Sequence, residues 1–452
     1  MSELVVRPPP GAFFSLRNYT EALLDGGAPL PADGLAPQVR ERLAERPVGY
    51  PRLAVYVGRG ASHSWLWLAG CLYRLGFYDV RLLSEENVGR GLRDTDVALF
   101  PGGDTFGMAE ALGPEGLGGL AEFVERGGAY VGVCAGAYLP MRSSKPSLSQ
   151  LNLVRVRVAN LARTVPPAQR LAHKFTQPYG CDLVFHAARG PLVMDGLGGP
   201  LAYARSIVAP IYGGPPMRPD GEAETYASFA GFTPRTEFLV DEAFARRTFD
   251  GQALAVGARH GRGAVYLYSA HFEHPDYPEA NIAVANTVFH AQRARGHSPR
   301  EPPFCIGPDQ ARTLARELHG AASNLRVAAA GLESAQVFWQ IGQKVWEPEK
   351  ARYFAEAAYE CARELRAAAD DGMPIGEPEQ LRAAARDALG AVQELRRCLR
   401  GGGDSLSPAR EAFSALNRFA VQLYSARFAA KLERVINDKY RKLGPKKASQ
   451  YA

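Results

Sequence analysis

The sequence predicts an α/β domain built on a mostly parallel sheet, followed by an all-α helical bundle. Three observations predict it. Short apolar runs alternate with helix-patterned segments from residue 53 onward, and one of these runs ends on Gly132-Val-Cys134-Ala-Gly136, where a strand would turn sharply into a helix. Beyond residue 303 the strand signals give way to Ala, Leu, Arg and Glu. A chain of 452 residues exceeds one ordinary core, so two folded domains are expected.

Residues 1–49 are rich in Pro and Gly, hold one helical candidate at Leu16–Leu24, and read as an irregular lead-in. Leu53–Val57 is an unbroken apolar run stopped by Gly58, as expected of a strand covered on both faces. Ser62–Leu75 has apolar residues at helical spacing, Asp79–Leu83 and Asp96–Phe100 are the next strands, and Met108–Arg126 is a helix interrupted by glycines. Ala129–Val133 is a fourth strand and runs straight into Cys134. Between Asn152 and Gly263, candidate strands such as Asp182–Phe185 and Glu237–Val240 are separated by segments like Gly213-Gly-Pro-Pro216, which predicts mixed, partly antiparallel sheet and long loops. Ala264–Tyr268 is again a strand and delivers Ser269-Ala-His271-Phe-Glu273 at its end. The alternation predicts a flavodoxin-like sheet with helices on both faces over residues 50–297, with its chemistry at the carboxyl ends of the strands.

The polar, Pro-bearing stretch His297–Pro303 leads into the second domain, residues 304–452. Four helices are expected there, at about 308–345, 348–370, 378–400 and 408–441. Pro348, Pro378 and Pro408 sit where first-turn prolines belong, Ser407 can cap the last helix, and Gly372 and Gly401-Gly-Gly403 mark stops. Short connections favour an antiparallel bundle. Phe338, Trp339, Trp346, Tyr353, Phe354 and Tyr359 recur at spacings that suit helix packing, and read as core rather than as a ligand box.

Three features can carry chemistry. A cysteine between two glycines at a strand-to-helix turn has the geometry of a nucleophile elbow, and the helix that follows would aim its positive end at the sulfur. Among 47 glycines a chance match is easy, so by itself the match is weak and Cys134 reads as a small core residue. Pro101-Gly102-Gly103, after a strand, could offer backbone N–H groups to an oxyanion together with the amide of Ala135; alone, it is a plain turn. His271 and Glu273, two apart on an extended segment, project to one side, so the carboxylate can orient the imidazole; alone, His271 is a loop histidine. His274 and Asp276 are alternates for the same two roles.

Taken together, in the order glycine turn, cysteine elbow, His-x-Glu, these features resemble the class I glutamine amidotransferase superfamily. More narrowly, Phe100-Pro-Gly-Gly-Asp104, the run from Glu125 to Tyr138, and Arg189-Gly-Pro191 are similar to the amidotransferase-like domain at the N-terminus of biotin-protein ligases and to its stand-alone prokaryotic relatives. The resemblance covers roughly residues 50–295 and does not reach the helical domain. It implies Cys134 as nucleophile, His271 as general base, Glu273 as orienting acid, and Gly102, Gly103 and Ala135 as the oxyanion hole. The activity it implies is thiol-dependent cleavage or transfer at an amide C–N bond through an acyl-thioester, as an ammonia-donating glutaminase or as an amidase for a small molecule or peptide. The alternative is an inactive member that binds or regulates. Where glutamine-hydrolysing members carry a Gln soon after the elbow, this chain has Ala137-Tyr138-Leu139-Pro140, which makes Tyr138 a candidate substrate-binding residue. No ligase adenylate loop or Walker motif is present, so a synthetase would be a separate chain, with the helical domain as one place for it to dock.

Composition narrows the partners. A 46% hydrophobic, 22% charged chain is expected to be a water-soluble globular protein. No apolar run is long enough for a bilayer span and Met1–Pro10 lacks a secretory pattern, so a cytoplasmic address and no membrane partner are expected. The six cysteines form no C-x-x-C pair or zinc-ligand cluster, so neither disulfides nor metal nor any other cofactor is expected. A net charge of +6 is mild, and the basic tail from Lys431 through Lys439, Arg441, Lys442, Lys446 and Lys447 reads as a solvated helix end rather than as a nucleic-acid contact.

Overall fold

A computed structural model describes residues 51–165, 183–291, 305–375 and 377–443. The lead-in 1–49 with its helical candidate, residue Asp182, Cys181, the stretch His297–Pro303, Lys446 and Lys447 all lie outside the described residues. The chain divides into two compact units, the first comprising Met1–Phe77, Arg81–Pro299 and Gly342–Val345, the second Tyr78–Val80, Arg300–Ile341 and Trp346–Ala452. Among the described residues no helix is long and apolar enough to cross a membrane.

The first unit is built on one mixed sheet. Its strands are β1 (Leu53–Tyr56), β2 (Val80–Leu83), β3 (Val97–Phe100), β4 (Ala129–Val133), β5 (Val156–Val158), β6 (Ala188–Asp195), β7 (Ile207–Ile211), β8 (Met217–Pro219), β9 (Glu224–Phe232), β10 (Glu237–Phe238), β11 (Ala253–His260) and β12 (Gly263–Tyr268). The main order is β10-β6-β9-β11-β12-β4-β3-β1-β2. β1, β3, β4 and β12 pair in parallel, and from β11 to β6 and β7 the pairing is antiparallel. The apolar runs that announced β1, β3 and β4 are buried at every position, as a sheet covered on both faces requires. Tyr56, Phe100 and Tyr130 stack across three of these strands at 5.0 Å centroid spacings, so the aromatic faces tie β1, β3 and β4 together.

The principal helices are α1 (Ser64–Arg74), α2 (Thr105–Glu125), α3 (Ala135–Tyr138), α4 (Glu242–Phe249) and α5 (Pro278–Ala291). α2 is broken at Gly113, whose φ of 60° precedes Pro114; proline cannot donate and disfavours helix before it. One expectation fails in this unit. Asp182–Phe185 is not a strand: among its described residues only Val184 bridges, to Leu161, and the strand of this region is β6, from Ala188. The helix after the elbow is a single turn, because Pro140 has no N–H for the Gly136 carbonyl, which Tyr130 Oη–H takes at 2.6 Å instead.

The second unit contains α6 (Pro308–Ala330), α7 (Pro348–Ala368), α8 (Pro378–Gly401) and α9 (Leu406–Leu443). α6 packs on α7 and α8, and α9 on α7 and α8. Pro308, Pro348 and Pro378 each start a helix, and Gly402 closes α8 in the left-handed conformation. The expectation of one helix over 308–345 is overturned: α6 ends before Gly331, and Trp339–Ile341 (β14) and Lys344–Trp346 (β15) form a hairpin. A second small pairing joins β13 (Cys305–Ile306) to β16 (Met373–Pro374), so the unit is not purely helical. Trp339 and Trp346 therefore pack on Phe413 from strands rather than from a helix stripe, while Phe338 and Tyr353 are exposed. Ser407 lies inside α9 rather than capping it; Asp404 Oδ1 accepts the Leu406 N–H at 3.1 Å.

Candidate active site

Three neighbouring strand ends make the site. β4 lies between β3 and β12, with Phe100 paired to Gly132 and Tyr268 to Val133, so Pro101-Gly-Gly103, Cys134 and His271 emerge side by side at the carboxyl edge of the sheet. The elbow is tied to both neighbours: the Cys134 N–H donates to Tyr268 O at 2.8 Å and the Gly136 N–H to Pro101 O at 3.1 Å. Cys134 has φ 51° and ψ −109° and is the one non-glycine residue with positive φ among those described. Such strain persists where the surroundings over-determine it, and here it projects the side chain away from the sheet.

His271 hydrogen-bonds the Cys134 side chain. Its Nδ1–H donates to Glu273 Oε1 at 2.7 Å, which leaves the other ring nitrogen for the sulfur. Cys134 is 9% exposed, His271 2% and Glu273 0%, so bulk water does not compete for these contacts. Burial alone would push the imidazole down; the Glu273 charge and the Cys134 contact outweigh it and hold His271 above its ordinary range. The Trp67 and His271 rings meet in a T-shaped contact at 5.7 Å. Because α3 is one turn long, its dipole adds little at the sulfur.

The glycine turn is oriented by two hydroxyls. Ser62 and Ser64 Oγ each donate to Gly102 O at 3.0 Å, and the Ser62 N–H donates to the same carbonyl. A trans peptide places the Gly103 N–H on the opposite side, where Gly103 lines a cavity with Cys134 and Ala135. Among the described residues, no acceptor takes the N–H of Gly103 or Ala135. A Cβ on Gly102 would lie 2.9 Å from His271 Cε1 and 3.4 Å from Cys134 Cβ, so glycine lets the turn approach both. The sequence singles out Gly102, Gly103, Cys134, Ala135, His271 and Glu273, and the fold brings them together.

The alternates sit elsewhere. His274 packs on Trp67 at 4.4 Å and its Nδ1 accepts the Asp276 N–H at 3.2 Å, while the Asp276 side chain is 80% exposed. Burial, then the His271 charge, lowers His274 from its ordinary value. Tyr138 lines the cavity, but its hydroxyl donates to Gly213 O at 3.1 Å and accepts from Asn160 Nδ2 at 2.9 Å. The hydroxyl is thus engaged within the protein.

Two residues escaped the sequence reading. His186 is half-buried in the cavity wall and is pushed down to about 3 by its enclosure and by Lys344 and Arg189; a lone histidine between Gly/Pro segments gives no signal. Asn281, 4% exposed, gives its Nδ2–H₂ to the carbonyls of Phe272 at 2.6 Å, His274 at 3.1 Å and Tyr277 at 3.2 Å, and so holds the segment that carries His271 and Glu273. We expect Asn281→Ala to destabilise the protein by about 1–3 kcal/mol, since the buried Phe272 carbonyl loses its donor while those of His274 and Tyr277 keep backbone N–H partners; the urea midpoint checks this, and an unchanged midpoint would remove Asn281 from this role.

Residues 53–149 match the family described as biotin-protein ligase, N terminal, a stretch that contains the glycine turn and the elbow. No curated protein matches the chain. Among solved structures the chain is similar to a glutamine amidotransferase, at 17% identity, covering 53% of this chain and 98% of that one with a TM-score of 0.34. It is similar to a cytoplasmic protein of Salmonella typhimurium LT2, at 12% identity, 53% and 100% coverage and a TM-score of 0.33. A beta-galactosidase from Bacillus circulans sp. alkalophilus shares 13% identity over 55% of this chain and 33% of its own, with a TM-score of 0.30.

Proposed function

We propose that the first unit is a cysteine-dependent enzyme that breaks an amide C–N bond through an acyl-thioester on Cys134. The observation that carries this reading is that a strained cysteine, a carboxylate-bound imidazole and a pair of unclaimed backbone N–H groups share one strand edge. In the first half of the reaction the thiol proton passes to His271, the sulfur attacks the carbonyl carbon, and the oxygen becomes an oxyanion facing the N–H groups of Gly103 and Ala135. The C–N bond breaks as the imidazolium gives its proton to the leaving nitrogen, with Glu273 keeping the ring oriented. His271 then takes a proton from water, the hydroxide attacks the thioester, and the carboxylic product leaves as the proton returns to sulfur. An amine in place of water makes the same step a transfer.

Iodoacetamide tests the reading. At pH 7 Cys134 is expected to alkylate at least about 10-fold faster than Cys398, a half-buried free thiol of the same chain. A rate equal to that of Cys398 would sink the enzymatic proposal and leave a binding protein of the same fold.

A further inference from the structure

The cavity over Cys134 has a wall chemistry that names a substrate class. It encloses about 530 Å³, within the range of sites that hold drug-sized ligands. Phe106, Met141, Leu161 and Tyr212 supply apolar wall, and among the described residues its charged lining is Arg142, Lys145, Arg163 and Lys344 against one carboxylate, Asp104. That carboxylate already serves the backbone, accepting the Gly107 N–H at 3.1 Å and the Gln343 N–H at 2.7 Å.

We propose, resting on the amide-cleaving reading above, that the substrate is an amide whose acyl part joins an apolar body to an anionic group, a carboxylate or a phosphate. An apolar body fills the wall left open by the Tyr138 ring, and the anion meets the cations. In the same wall the His186 ring lies against Gly213, where a Cβ would come within 2.4 Å of it, and its enclosure first, then Lys344 and Arg189, keeps that ring uncharged. Such a site favours the approach of anions and disfavours cationic amides of equal size.

Two reagents of nearly equal size separate charge from reactivity. In the full-length protein at low salt, the ratio of iodoacetate to iodoacetamide alkylation should be about 10-fold higher at Cys134 than at Cys398, should fall as salt is added, and should be lost in the double variant Arg142→Glu, Lys145→Glu. Both side chains are exposed, so the variant is expected to fold, which circular dichroism checks. A ratio at Cys134 no higher than at Cys398 overturns the anionic substrate while leaving the amidase reading intact; slow reaction with iodoacetamide sinks the amidase reading instead. A second measurement reads the charge of the wall without the thiol, through the anionic apolar dye 8-anilino-1-naphthalenesulfonate and its uncharged analogue N-phenyl-1-naphthylamine. The double variant should weaken the first about 10-fold and leave the second unchanged, and equal binding of the dye to wild type and variant overturns the proposal.

Discussion

His271→Ala is expected to slow the alkylation of Cys134 by iodoacetamide at pH 7 on the order of 100-fold, the usual scale of losing a positioned base. The imidazole is the hydrogen-bond partner of the sulfur, and α3, only four residues long, offers no comparable charge. The same substitution strands Glu273, which is 0% exposed and whose Oε2 has no hydrogen-bond partner among the described residues. Leaving a buried carboxylate without its cation costs about 3–5 kcal/mol. The double variant His271→Ala, Glu273→Gln separates the two effects: it should recover much of the stability and none of the reactivity. Urea unfolding and peptide mass spectrometry read the two quantities, and alkylation of both variants within about twofold of wild type would show that His271 does not activate the thiol. The sign of the pH dependence follows from the raised folded value of His271. Its charge contributes stability that is complete below the ordinary 6.5 and is lost as pH climbs through the folded value, so the stability gap between wild type and the double variant should narrow upward from pH 6.5.

The parts of this site that were legible in the sequence share a cause. β1, β3 and β4 are unbroken apolar runs because both faces of the sheet are covered, and each functional segment follows such a run directly, so reading the strands placed Gly102, Cys134 and His271. What escaped notice depends on short-range contacts that no apolar pattern announces. The shortness of α3 follows from Pro140, which leaves the Gly136 carbonyl to the Tyr130 hydroxyl, and the bracing role of Asn281 rests on carbonyls that only the folded loop brings within reach. The antiparallel half of the sheet carries Gly190 and Pro191 inside β6, residues that ordinarily argue against a strand. The β14–β15 hairpin has a local signature. Trp339-Gln-Ile, then Gly342-Gln343, then Lys344-Val-Trp has period-two patterning about a two-residue turn with Gly342 at φ 65°, and the helical composition around it masked the change of period.

Gly136→Ala should unfold the first unit more readily than any loss of a single hydrogen bond. A Cβ there would sit 2.2 Å from Phe100 O and 2.7 Å from Phe100 C, a clash of side chain with backbone that no rotamer relieves. Neither backbone is free to yield. Phe100 is the last residue of β3, paired to Gly132 and stacked between Tyr56 and Tyr130; Gly136 is pinned by its N–H to Pro101 O and by its carbonyl to Tyr130. Overpacking usually costs 1–3 kcal/mol, and with both partners fixed we expect about 3 kcal/mol or more, a fall in Tm on the order of 10 °C for a unit of this size. Gly118→Ala is the matched control, since a Cβ there meets nothing within 4 Å and α2 should gain about 0.5–1 kcal/mol from the loss of a helical glycine. If Gly136→Ala melts with wild type, the elbow has room to shift and the strained Cys134 backbone is not held by its neighbours. If it melts early while the surviving folded fraction has lost the rapid alkylation of Cys134, the packing that fixes the turn also sets the distance from sulfur to the Gly103 N–H, and the fold and the chemistry of this edge depend on the same missing methyl group.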